Sequence, residues 1–178
     1  MSKQDISVAI IEAFSSVEPP PEWHIVDSLE GFEPALVEKT FSGRLWNELT
    51  DDELDRDPAL CFFSVEAFRY FLPAYLLREL DGHYFQQNEL AFTLTSGLTE
   101  VWQDKLVNPC RYGAMTSWDR AIHRFATLTK EQVNAVVAFL DYKIEESRED
   151  DSYGHQLMSE AMKNYWLPRS KGLPVWRL

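Results

Sequence analysis

The four histidines, His24, His83, His123 and His155, stand far apart, and none lies at ligand spacing from another histidine or a cysteine. A structural zinc site needs paired Cys and His at short intervals, so the sequence predicts no metal site. The acidic run Glu48 to Asp57 lacks the alternating ligands, central glycine and terminal glutamate of a calcium loop. Nucleophilic catalysis has as little support: there is no Gly-x-Ser-x-Gly elbow. Cys110 precedes Arg111, whose guanidinium would lower the thiol pKa, yet it has no recognisable His/Asn companion. Cys61 sits in the apolar triplet Cys61-Phe62-Phe63 and reads as a small core hydrophobe. Seven glycines are too dispersed for a phosphate-cradling loop. No cofactor is implied.

Charge offers two candidate surfaces. One is acidic: Asp51, Asp52, Glu53, Asp55 and Asp57, with Glu145, Glu146, Glu149, Asp150 and Asp151, would meet a basic protein. The other is a set of polar groups suited to an anion or small ligand. It comprises Arg69 and Tyr70 beside Pro73, His83 after a helix end, and Arg120 and Arg124 one helical turn apart, able to hold a carboxylate bidentately. The alternative for this basic cluster is cross-bracing of the acidic runs within the fold.

The elements that must position these residues are helices. Ile6, Ile10, Ala13, Phe14 and Val17 recur at helical spacing over about Gln4 to Ser16, and Pro19, Pro20 and Pro21 end the run. Trp23 and Phe32 are expected to anchor an irregular segment onto the core. A short helix from Pro34 to Phe41 is stopped by Gly43. Thr50 and Glu53 have capping-box spacing, as do Thr129 and Gln132. Ser64 caps a central helix whose Val65, Phe68, Phe71, Leu72, Tyr75, Leu76 and Leu80 face inward. Pro73 should kink or restart that helix. Leu90, Phe92 and Leu94 alternate as a short extended segment. Glu100 to Val107 predicts two helical turns, Arg111 to Gly113 a turn, and Ser117 to Phe125 a helix. Val133, Val136, Val137, Leu140 and Ile144 form the stripe of a further helix. A last one covers Ser152 to Tyr165, before an irregular tail from 168 to 178.

The expected fold is therefore mainly α: one compact multi-helix domain over residues 1–178, with a kinked central helix and long irregular connections. The chain has 178 residues and a formal net charge of −12. That balance disfavours nucleic acid and anionic membranes as partners. The N-terminal segment lacks the uninterrupted apolar core and cleavage site of an export signal, and no apolar run reaches the roughly 18 residues a membrane span needs. A cytoplasmic protein with reduced thiols is expected.

Taken in order, the motif residues bring a family into view. Phe41-x-Gly43-x-x-Trp46-x-x-Leu49, then Ala59-Leu60 and Phe63-Ser64-x-Glu66-Ala67-Phe68-Arg69-Tyr70-Phe71-Leu72-Pro73-Ala74-Tyr75-Leu76, resemble an uncharacterised family of small bacterial proteins. Leu128-Thr129-x-x-Gln132, Phe139-Leu140 and Ala161-x-x-x-Tyr165-Trp166 are similar to its C-terminal part. The resemblance implies a bacterial cytoplasmic origin and a single small domain, and supplies no activity. The functional expectation from the residues is a non-enzymatic protein-binding or inhibitor domain, immunity-like, with a basic protein partner. A ligand-binding protein or enzyme with a cleft near the Pro73 bend is the alternative. So is a homo-oligomer joined through the tail of Trp166, Leu173, Val175 and Trp176.

Overall fold

Helix α5, Val65–Leu80, is the element on which its surroundings are built. Ser64 starts it, accepting the Ala67 amide on its hydroxyl at 3.1 Å while donating to the His24 carbonyl at 2.7 Å. Every residue from Ala67 to Leu76 is buried except Arg69. A helix apolar on nearly all sides is stable only when covered all round. Pro73 lies inside it, and the helix does not restart there.

The computed structural model describes residues 1–147, 153–175 and 177, leaving aside the Arg111 side chain. The mainly α class expected from the sequence is the class observed: among the described residues no strand forms, and Val26–Phe63 and Leu106–Thr116 are isolated bridges. Contacts within the chain gather into two compact units. One is Lys3–Thr93; the other is Leu94–Leu178 with Met1–Ser2.

In Lys3–Thr93, helix α1 (Lys3–Phe14) packs on α5 through Ile6, Ile10 and Phe14. Helix α2 (Phe32–Phe41) contacts α4 (Ala59–Phe62), with α3 (Asp51–Asp55) before it in the chain. Phe41, Phe63 and Phe71 form an aromatic triad with centroids 4.9 to 5.3 Å apart, the edge-and-offset geometry that aromatic quadrupoles favour. Asn88, only 2% exposed, ties the α3–α4 connection down. Its amide nitrogen donates to the carbonyls of Leu54 and Asp57 at 2.7 and 2.8 Å, and its oxygen accepts the Leu60 amide at 2.9 Å.

Leu94–Leu178 is organised around α9 (Lys130–Glu146), capped by Thr129 and Gln132 as the sequence predicts. Helix α10 (Tyr153–Ala161), a wide π-type turn over Met162–Trp166 and α11 (Leu167–Ser170) all pack on it. Trp166 is fully buried, its ring 4.8 Å from Phe125, and its indole N–H donates to the Leu94 carbonyl at 2.9 Å. Helix α8 (Ser117–Phe125) has a capping box of its own from Thr116 and Asp119.

Several expectations are corrected. Leu90 to Leu94 is not extended but helical, α6 (Leu90–Thr95); Leu90 and Leu94 are buried four residues apart while Phe92 faces out. Glu100 to Val107 is not helical. It is a loop stitched to the start of α8 by main-chain bonds, Ser117 N–H to the Lys105 carbonyl at 2.8 Å and Trp118 N–H to the Gln103 carbonyl at 3.1 Å. The turn at Arg111 to Gly113 belongs to a short helix, α7 (Pro109–Tyr112), which Gly113 ends. Helical structure at the C-terminus runs to Ser170. Cys61 is exposed rather than buried, because Ala59, Leu60 and Phe63 take the inward positions around it. Trp23 and Phe32 do not anchor the core: they are 80% and 77% exposed.

Candidate functional site

Trp23 is held outside the core by the segment that carries it. Residues 22–26 form a strap whose main chain is fixed at several points. Ser42 donates its hydroxyl to the Glu22 carbonyl at 3.0 Å, Ser64 N–H reaches the Ile25 carbonyl at 2.9 Å, and Val26 N–H reaches the Glu38 carboxylate at 3.3 Å. Glu22 thus lies at the C-terminal end of α2 and Val26 near Glu38, so the strap runs back along the helix that follows it. Ile25 and Val26 turn inward, at 1% and 6% exposure. Their fixing leaves Trp23 outside, its ring 5.5 Å from that of His24, which pairs with Glu66 at 3.5 Å.

Phe32 opens α2 after Gly31, whose φ of 104° is a backbone state that side chains rarely adopt. Pro34, Val37 and Phe41 bury the inner face of the helix. Phe32 stays outside, and Leu29, in the loop before it, is 62% exposed. Ten helical residues span about 15 Å, so strap and helix set these apolar groups within the width of one standard interface patch.

Charge along the chain that carries them is one-sided. Between Gln4 and Glu38 the chain has eight acidic residues and neither lysine nor arginine. Glu18, Glu22, Glu30 and Glu33 of this stretch are exposed. Sequence reasoning missed this site because it assigned Trp23 and Phe32 to the core. The absence of basic residues over the stretch was the signal available.

The acids expected to meet a partner are mostly engaged inside the fold. Asp51 Oδ1 lies 3.0 Å from Arg78 Nε, an ion pair whose angle falls short of hydrogen-bond geometry, and its Oδ2 lies 3.5 Å from His83 Nδ1. Glu53 receives both Arg44 nitrogens, at 2.6 and 3.1 Å, and closes the capping box with Thr50. The Arg44 hydrogen bonds, then those of Thr50, lower its pKa to about 2. Asp55 accepts the amides of Gln86 and Gln87 at 3.0 and 2.7 Å. Asp57 is buried and accepts from Thr40 at 3.4 Å. Asp52, Glu145 and Glu146 are exposed, with Lys143 paired to Glu146. Glu149, Asp150 and Asp151 lie outside the described residues, as does Trp176.

The second expected set is divided between the two units, Arg69, Tyr70 and His83 in one and Arg120 and Arg124 in the other. Arg69 and Tyr70 are neighbours on α5, and burial raises the Tyr70 phenol pKa, partly offset by a backbone hydrogen bond at Trp46. Phe71, Leu72, Pro73 and Ala74 are core residues, so the surroundings of Pro73 are filled with side chains. His83 is drawn to Asp51 and to the ring of Phe85, 4.6 Å away. Arg120 and Arg124 lie on α8, where Arg120 stands over the Tyr112 ring at 5.2 Å. Among the described residues no group of three or more His, Cys, Asp or Glu could hold a metal ion, and no helix is long and apolar enough to cross a membrane.

This geometry defines a helical protein in which an acidic segment and the start of α2 hold Trp23, Leu29 and Phe32 outside the core. The chain belongs to the family of unknown function DUF6714, whose family model matches residues 2–170. No curated protein and no solved structure matches it.

Proposed function

We propose that the protein is a binding module for a basic protein, docking through Trp23, Leu29 and Phe32 with Glu18, Glu22, Glu30 and Glu33 as an acidic rim. The carrying observation is the exposure of Trp23 and Phe32 on a stretch whose main chain is pinned and which has no basic residue. Large apolar side chains held out of the core, rimmed by charge, are the composition of an interaction surface. Covering the three would remove roughly 400 Å² of apolar surface from water, about 10 kcal/mol before association costs. The acids speed encounter with a cationic surface and set salt-dependent specificity. They also disfavour a symmetric pairing of this face with its own copy, which would bring like charges together. An inhibitor of a basic protein is one form of this role. Cys61 and Cys110, both exposed and outside any disulfide, suit a reducing compartment such as the cytoplasm.

The test is capture of partners from the source cells by tagged protein at low and high salt, with Trp23→Ser/Phe32→Ser alongside. A stoichiometric basic partner, released by salt and lost with the double variant, supports the reading. Equal capture by the double variant, folded by circular dichroism, overturns it.

A further inference from the structure

A cleft of about 420 Å³ opens between the exposed side of α2 and the end of α3, lined by Leu36, Lys39, Thr40, Arg44, Glu53, Arg56 and Asp57. Six of the seven lining residues are polar or charged, so the occupant it suits is a polar one. Positions 36, 39 and 40 share a helix face because three- and four-residue steps return to the same side. Positions 53, 56 and 57 come from the end of α3 and the turn that Asn88 fixes through the Asp57 carbonyl.

The charges of the cleft divide into satisfied and unsatisfied. Arg44 and Glu53 neutralise each other through their two-pronged pair. Lys39 and Arg56 are exposed and have no ion pair among the described residues. Asp57 is 7% exposed, yet its carboxylate has one hydrogen bond, the 3.4 Å contact from Thr40, at the long limit for a hydroxyl donor. A carboxylate offers about four acceptor sites, and neither oxygen of Asp57 is both sealed from solvent and unpaired, so its free sites open to the cleft. The cleft therefore presents an anion with open acceptor sites on its wall and two exposed cations, Lys39 and Arg56, at its rim.

We infer that this cleft binds a small zwitterion of the α-amino-acid class, its ammonium at Asp57 and its carboxylate reached by Lys39 and Arg56. A simple anion would satisfy the cations while leaving Asp57 repelled and unserved. A simple amine would do the reverse. A ligand carrying both charges answers all three groups, and Leu36 supplies an apolar surface for its side chain. This site is independent of the docking face proposed above.

The test is amide NMR titration of the full chain with glycine, L-alanine, L-leucine, L-glutamate and L-lysine, each alone, and with acetate, methylammonium and inorganic phosphate. The expected result is saturable shifts at Lys39, Thr40, Arg56 and Asp57 with at least one amino acid. Acetate and methylammonium should bind at least tenfold more weakly. Lys39→Gln and Arg56→Gln alter exposed side chains and leave the fold intact. Each should weaken binding roughly tenfold, the loss of one charge-assisted hydrogen bond, and Asp57→Asn should do so more. No saturable shift, equal binding of acetate or phosphate, or binding unchanged in Arg56→Gln would overturn the inference.

Discussion

Replacing Asn88 with alanine should remove much of the stability of Lys3–Thr93. The size of the loss follows from what each partner retains. The Leu54 carbonyl still accepts from the Tyr75 hydroxyl at 3.1 Å, and the Asp57 carbonyl from the Ala59 amide at 2.7 Å. Each of these loses one hydrogen bond, a net of about 0.5–1.5 kcal/mol. The Leu60 amide, in a residue 1% exposed, loses its acceptor outright, at about 1–3 kcal/mol for a buried orphan. With a small cavity added, the total is about 3–5 kcal/mol. For a chain of this length that corresponds to a fall in Tm of roughly 6–20 °C. Thermal and urea unfolding followed by circular dichroism would measure it, and hydrogen exchange at the Leu60 amide would locate it. Asn88→Asp keeps the acceptor for Leu60 but sets an anionic oxygen against two carbonyls, so it should be no milder. A loss below about 1 kcal/mol in Asn88→Ala, with the Leu60 amide still protected, would refute the idea that this side chain holds the turn.

Two further outcomes are expected. Glu53→Gln should destabilise by about 1–2 kcal/mol at neutral pH, the value of a two-pronged ion pair discounted for the third of Arg44 that is in solvent. Because the folded-state pKa of Glu53 is depressed from 4.5 to about 2, its contribution is complete above about pH 4.5 and lost as pH falls toward 2. The Tm difference between the two proteins should therefore close over that window, and a pH-independent gap would count against the assignment. Gly97→Ala should cost about 2–4 kcal/mol, because the glycine has φ of 84° and a Cβ there would clash with the Ser117 carbonyl; unfolding in urea tests it.

What the sequence made legible was what neighbouring residues decide. The capping boxes of Thr50 with Glu53 and Thr129 with Gln132, and the Ser64 cap, each depend on residues three apart, and all three are present. The aromatic motif around Phe63 and Phe71 reads as a core and is one. Leu90 to Leu94 was misread because an apolar run of five residues fits either period until its neighbours are known. Trp23 was misread for a different reason. Apolar residues tend inward, but the rule does not run backwards for any single side chain. The exposure of Trp23 follows from bonds that Ser42 and Ser64 make to the strap from 20 and 40 residues away. The cleft likewise joins Thr40 to Asp57 and depends on Asn88, which no local pattern connects.

The stitching of residues 103–107 to 115–118 is made almost wholly by peptide groups. A loop fastened by its main chain is indifferent to most of the letters written along it. Those letters can drift, provided the glycine at its entrance is kept. Of residues 103–107 and 115–118 Gln103 alone is buried, which is where that latitude ends. The same fastening makes the exposed tip around Ala114 a natural place for an inserted tag or epitope, since lengthening the loop there leaves every stitch in place.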